Sequence, residues 1–315
     1  MFHFSGAPAA AGVLLSAILL LAGCATPQLA ALPEQLPATV PPRGELPAVP
    51  FFPQEEFQCG PAALATALAH AGTAASPATL TPQVYLPARE GSLQVEMLAA
   101  ARRHGLMAYP LAPRLSDLIQ EVAGGVPVIV LQNLAFDFAP RWHYAVAIGY
   151  DLPREEIILR SGTTQRLVMT LSNFERTWAR SGHWAIMTLP PQRLPATATE
   201  DRYVAAAVAL ERVVPGAARS AYQTALERWP DNLIARIGHG NTAYALGDLA
   251  GAEAAYREAT RRHPEAADAW NNLAQALLDL RRQDEALLAA RRAVGIGGPG
   301  LVEYQSTLKA AAAAR

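Results

Sequence analysis

The sequence predicts an α+β domain followed by an all-α repeat solenoid, and three observations carry this. Between residues 50 and about 192, helical periodicities come first and short apolar strand patterns follow, the order of an α+β fold. From 199 to 300 the chain repeats with a period of 34 residues. The composition, 51% hydrophobic and 17% charged, is too apolar for a disordered chain. A length of 315 residues leaves room for about two domains. The 26 basic and 27 acidic residues nearly cancel, so neither a basic field for nucleic acid nor an acidic tail is present. No nucleic-acid partner is expected. The two cysteines, Cys24 and Cys59, exclude a disulfide framework and a cysteine zinc site. No His/Asp/Glu cluster has ligand spacing, so neither a metal nor a cofactor is expected.

Residues 1–23 contain no Lys, Arg, Asp or Glu. Val13 to Ala22, VLLSAILLLA, is apolar but shorter than the roughly 20 residues a spanning helix needs. It reads as the core of a secretion signal. Leu21-Ala22-Gly23-Cys24 resembles the lipobox of bacterial lipoproteins. That resemblance implies cleavage before Cys24, a lipid on its sulfur, and a membrane partner through the lipid. Ala25 after the cysteine points to an outer membrane facing the periplasm. Cys59 is then the one remaining thiol in an oxidising compartment. Residues 24–49 are rich in proline and lack a helical or strand period, so they read as an extended, solvated tether.

In the α+β domain, 50–192, Pro61 to Ala71 (PAALATALAHA) reads as a helix starting just after Cys59. Leu93 to His104 places Leu93, Met97, Leu98 and Ala101 on one helical face. Leu115 to Val122 is a third helix. Val126 to Leu131 and His143 to Tyr150 read as buried strands, followed by Glu156 to Arg160, Arg166 to Leu171 and Trp184 to Leu189.

In the second region, Tyr222 and Tyr256 are 34 apart, as are Pro230 and Pro264. Ala218, Ala252 and Ala286 share that spacing, as do Ala225, Ala259 and Ala293. This resembles tetratricopeptide repeats, in three copies over 199–232, 233–266 and 267–300, with 301–315 as a capping helix. The resemblance implies a protein partner on the repeats.

The sharpest local signal is Gln54-x4-Cys59-Gly60-Pro61-Ala62. Pro61 suits a first helical turn, which puts Cys59 at a helix N-terminus. The partial positive charge there favours thiolate, and the free N–H groups can hold an oxyanion. Gln54 offers a neutral amide donor nearby. A thiol nucleophile needs an imidazole partner. His70 lies on the helix that Cys59 starts, eleven residues along and roughly 16 Å away. His143 opens the strand HYAVAIGYD, where a sheet end can hold a base rigidly, and it is the best candidate.

Together, Gln-x4-Cys-Gly-Pro-Ala and His-Tyr-Ala-Val-x-x-Gly-Tyr-Asp resemble the papain-like double-glycine peptidases, family thirty-nine of the cysteine peptidases, over about residues 50 to 190. These include the domains that trim bacteriocin leaders. The resemblance implies Cys59 as nucleophile, His143 as base and Gln54 as oxyanion donor. The family's third member is an Asp on the strand after the histidine strand, and here that strand reads EEIILRSGTT. A hairpin turning near Pro153 sets His143 opposite about Ser161 or Thr163. Asp151 would lie roughly 26 Å from His143 along the strand and reads as a turn residue. Ser161 is therefore expected in the orienting position, with Asn173 as an alternative.

The function expected is a lipid-anchored envelope cysteine peptidase that hydrolyses peptide or protein substrates, with the repeats recruiting substrate or a partner. Two alternatives stand beside it: a peptide-binding scaffold of weak or no activity, and acyl transfer to an amine instead of water.

Overall fold

The computed structural model describes residues 26–54 and 58–314. Cys24 and the signal segment lie outside the described residues. No described helix is long and apolar enough to cross a membrane.

The N-terminal half is an antiparallel sheet with helices on both faces. In chain order it contains α1 (Pro27–Gln35), β1 (Arg43–Glu45), α2 (Cys59–His70), α3 (Pro77–Val84), β2 (Tyr85–Leu86), β3 (Gly91–Ser92), α4 (Gln94–Arg103) and β4 (Met107–Pro110). There follow α5 (Leu115–Ala123), β5 (Val128–Asn133), β6 (Trp142–Asp151), β7 (Glu156–Ser161), β8 (Thr164–Thr170), α6 (Leu171–Ala179) and β9 (Ala185–Leu189). The sheet order is β4-β9-β5-β6-β7-β8, and β1 pairs with the far end of β6. The small β2–β3 hairpin stands apart.

Alternation along the strands splits the core. Ile129, Leu131, Val146, Ile148 and Ile186 pack against α2, α3 and α4. Val128, Val130, Ala145, Ala147 and Met187 pack on the opposite side with α5 and α6. Helix α2 is alanine-rich and buried from Gly60 to Leu68, because it runs through the core and has no solvent face.

Every helix and strand anticipated in this domain is present, with ends shifted by a few residues. Within residues 50–192, five of the elements named above have no counterpart in the sequence reading: α3, β2, β3, β4 and α6. Ser76 caps α3 through a reciprocal bond with Thr79, and Pro77 fills its first turn. Strand β4 is only four residues long. The run read as a strand through Leu171 ends at Thr170, whose hydroxyl accepts from Asn173 N and starts α6.

The tether is the main correction. Residues 26–49 are docked on the domain. The first amides of α1, Gln28 N and Leu29 N, donate to the Glu175 carboxylate at 2.9 and 2.8 Å. Leu32 is 3% exposed within the domain core, and Leu29, Leu36, Val40 and Leu46 pack against that same core. Strand β1 pairs Arg43 with Asp151. Proline content hid this, but Pro27 occupies a first turn, where a missing N–H costs nothing. The leucines supply an apolar face.

The second half is a stack of helices: α7 (Glu200–Glu211), α8 (Pro215–Arg228), α9 (Leu233–Ala245), α10 (Leu249–Arg262), α11 (Ala267–Asp279), α12 (Gln283–Ile296) and α13 (Leu301–Ala313). The three expected copies are α7–α8, α9–α10 and α11–α12, with α13 closing the stack. Ala218, Ala252, Ala286, Ala225, Ala259 and Ala293 are all fully buried where helices meet. A Cβ at Gly238 would sit 2.2 Å from the buried Tyr222 ring, so the glycine lets α9 approach α8. The two halves share one core: Tyr203, Val204, Ala207 and Leu210 of α7 join the cluster containing Tyr109 and Leu189. The buried Glu121 accepts N–H bonds from Ala196 and Thr197, which fixes the connecting segment to α5.

Candidate active site

Cys59 is the first residue of α2, and it faces the start of β6 across the end of the sheet. Burial pushes its thiol up, while the backbone N–H groups of Tyr144, Gly60 and Cys59 itself act in the opposite direction. The sequence reading expected the helix terminus to lower this pKa; around Cys59 desolvation outweighs it. Gly60 is needed for close approach, because a Cβ there would lie 2.2 Å from Ser92 Oγ. Ser92 is itself held by Tyr144, whose hydroxyl donates to its carbonyl at 3.2 Å.

His143 opens β6 as expected. Its Nε2 lies 2.8 Å from Ser161 Oγ, so the structure puts that hydroxyl beside the imidazole. Burial, and secondarily the Arg141 charge, lower the His143 pKa to about 4. The ring is therefore neutral at ordinary pH. Asn173 is exposed on α6 and is not among the residues lining the cleft. Asp151 closes the far end of β6, where it pairs with Arg43 at 2.8 Å and accepts from Arg154 N.

Gln54 reaches the same site from the docked N-terminal strap. Its N–H donates to Gly162 O at 3.1 Å, and its Nε2 lies 3.5 Å from Tyr144 O. Arg160, 5% exposed, governs this arrangement. Its guanidinium donates to the carbonyls of Val49, Pro47 and Gln165. One side chain thus fixes the strap leading to Gln54 and the turn after its chain neighbour Ser161.

Gln54, Cys59 and His143 line one cleft of about 980 Å³, together with Ser92, Leu93, Trp142 and Arg180. No group of three or more His, Cys, Asp or Glu that could hold a metal occurs among the described residues.

Comparison with known proteins bears on this geometry. Residues 47–186 match the family model described as Peptidase_C39 like family. Residues 206–259 and 237–300 match that of the tetratricopeptide repeat. The chain is a C39-like peptidase domain followed by tetratricopeptide repeats. A crystal structure described as a C39-like peptidase from Bacillus anthracis is 19% identical, over 47% of this chain and 97% of that one, with a TM-score of 0.40. No curated protein matches the chain.

Sequence reasoning about the C39-like domain missed Arg160, Ser92 and the hairpin between β5 and β6. Arg160 carried a weak signal, as a cation directly after the apolar run IIL of the strand EIILRS. Ser92 carried none.

Proposed function

We propose that this domain is a cysteine peptidase. The observation that carries the reading is the convergence, in one cleft, of Cys59 at a helix start, Gln54, and His143 with Ser161 hydrogen-bonded to its ring. With Nε2–H donating to Ser161, the lone pair of His143 is on Nδ1, the nitrogen left for the thiol. Burial disfavours both thiolate and imidazolium, so the resting pair is neutral. Nδ1 takes the thiol proton as sulfur attacks the peptide carbonyl carbon. The oxyanion is met by Cys59 N–H and, after a small rotation, by Gln54 Nε2–H. Nδ1–H then protonates the leaving amine and the C–N bond breaks. A water, losing a proton to His143, hydrolyses the thioester and restores the thiol.

The test is incubation of the full chain with a peptide mixture, reading new termini by mass spectrometry beside Cys59→Ala and His143→Ala. Cleavage that depends on both residues supports the reading, and absence of Cys59-dependent cleavage overturns it. One observation favours a second reading, a peptide-binding module without turnover: His143 is oriented by a hydroxyl instead of a carboxylate and is hard to protonate.

The same proposal places the protein in a bacterial cell envelope, anchored through lipidated Cys24 to an outer membrane facing the periplasm. The supporting feature is the run VLLSAILLLAGC. Because α1 begins at Pro27, the three residues from Cys24 can reach at most roughly 10 Å. Such an anchor holds the domain close to the bilayer. Metabolic labelling with a palmitate analogue, lost in Cys24→Ala, is the expected result; unlabelled protein would remove the anchor. The repeats are proposed to recruit the substrate or a partner protein.

A further inference from the structure

The hairpin joining β5 to β6 exposes apolar side chains that folding does not use. Leu134, Phe136, Phe138 and Trp142 are 37%, 64%, 87% and 50% exposed. Phe136 and Phe138 stack with ring centroids 5.3 Å apart. The hairpin is pinned at its base. Asn133 Oδ1 accepts the N–H of Ala135 and Arg141 at 3.1 and 2.9 Å, and its Nδ2 donates to Phe136 O. Arg180 donates to the carbonyls of Asn133 and Ala135 at 3.1 and 2.7 Å. Aromatic surface held this rigidly in water carries a solvation cost that a ligand would relieve.

This ledge runs into the cleft, since Pro140, Arg141 and Trp142 line it. Leu93, 44% exposed, lines it from another stretch of chain. Among the described residues the lining charges are one-sided: Arg89, Arg141 and Arg180 line the cleft with one carboxylate, Glu90. Among the described residues no carboxylate lies within ion-pair distance of Arg89 or Arg141, and Arg180 is 3.8 Å from Asp137.

We infer that the 134–142 hairpin and Arg141 form a recognition ledge for polypeptides carrying a bulky apolar side chain and a carboxylate close to the bond held over Cys59. The inference rests on the peptidase reading of the cleft. A membrane surface would also take exposed aromatics. However, Trp142 and Arg141 belong to the cleft wall, which favours a peptide. The carboxylate has two sources, an Asp or Glu side chain or the free end of a chain.

Binding to the full-length Cys59→Ala variant tests this without needing turnover. The readout is fluorescence anisotropy of labelled peptides. One carries Phe or Leu beside Glu, one has Lys for Glu, and one has Ser for the apolar residue; each is made as C-terminal acid and amide. The first is expected to bind about tenfold tighter than the others. Phe136→Ser with Phe138→Ser should remove the apolar preference, and Arg141→Glu should reverse the charge preference. All three positions are exposed, so melting temperatures should hold. Preference for the acid over the amide assigns the carboxylate to a chain end; indifference assigns it to a side chain. Equal binding of all peptides overturns the inference. So does loss of binding to anionic phosphatidylglycerol vesicles in the phenylalanine variants with peptide binding unchanged. Wild-type chain that binds with this pattern but cleaves nothing retains the ledge and removes the peptidase.

Discussion

The two halves of the molecule are held by contacts of different range. In the repeats, polar links join residues about one repeat apart, as in Asn241 to Glu211, Asn272 to Asn241 and Arg257 to Glu285. In the C39-like domain they join the two ends of the fold: Glu175 to Gln28, Arg160 to Val49, Gln54 to Tyr144. A solenoid can lose one contact and keep its neighbours. The site has no such redundancy, since each group proposed for catalysis arrives on a different segment. Damage in the first half should therefore reach chemistry, and damage in the second should remain local.

The largest expected effect is on turnover. Cys59→Ala or His143→Ala should lower kcat/KM by at least about 10³-fold with the melting temperature nearly unchanged. Residual cleavage at the wild-type rate in either variant would put the chemistry elsewhere. Next is Arg160→Gln. It removes the donors from the carbonyls of Val49, Pro47 and Gln165, of which Val49 lies in the core, and should cost about 1–3 kcal/mol, read by denaturant unfolding. Activity should fall beyond the unfolded fraction, because Gln54 and Ser161 both lose their support. An effect on stability alone would make Arg160 merely structural.

A matching experiment is available in pH. The folded pKa of His143 is lowered to about 4 from an ordinary 6.5, so between these values the unfolded chain binds more protons. Stability is fully present above about 6.5 and falls as the pH drops toward 4, by on the order of 3 kcal/mol. His143→Gln should flatten that slope. An unchanged slope would show that His143 is not buried as a neutral ring.

How much of this the sequence disclosed follows the same division. The repeats were legible as a run of stacked helices, because a period of 34 is local information written three times. The positions of Cys59, Gln54 and His143 were legible as motifs. Ser161 came from counting a hairpin register, and its hydroxyl does lie against the ring, although β7 slips near Leu159 and Ser161 itself pairs with Thr164. What failed was composition without geometry. The proline-rich strap looked solvated because its partners, Glu175 and Asp151, are over a hundred residues away. The thiol looked activated because a helix terminus is visible in sequence and burial is not.

A smaller effect is expected in the solenoid. Gly238→Ala drives a methyl group into the Tyr222 ring and should cost about 1–3 kcal/mol. Peptide cleavage at 25 °C should be unaltered. A parallel loss of activity would mean that the shared core around Tyr203 transmits strain from the repeats to the cleft, contrary to the comparison above.

The smallest and most informative change is Ser161→Asp. A hydroxyl can accept Nε2–H and fix the tautomer, but it offers no charge to imidazolium. A carboxylate at the same 2.8 Å position would raise the His143 pKa by direct attraction and draw the Cys59 proton across. The substitution should increase kcat/KM by about tenfold, equivalent to 1.4 kcal/mol, and move the acid limb of the pH profile upward. It also buries a charge at a position only 9% exposed, so stability should fall even as activity rises. Activity that falls along with stability would mean that the site is organised around a neutral pair and that Ser161 belongs there for that reason.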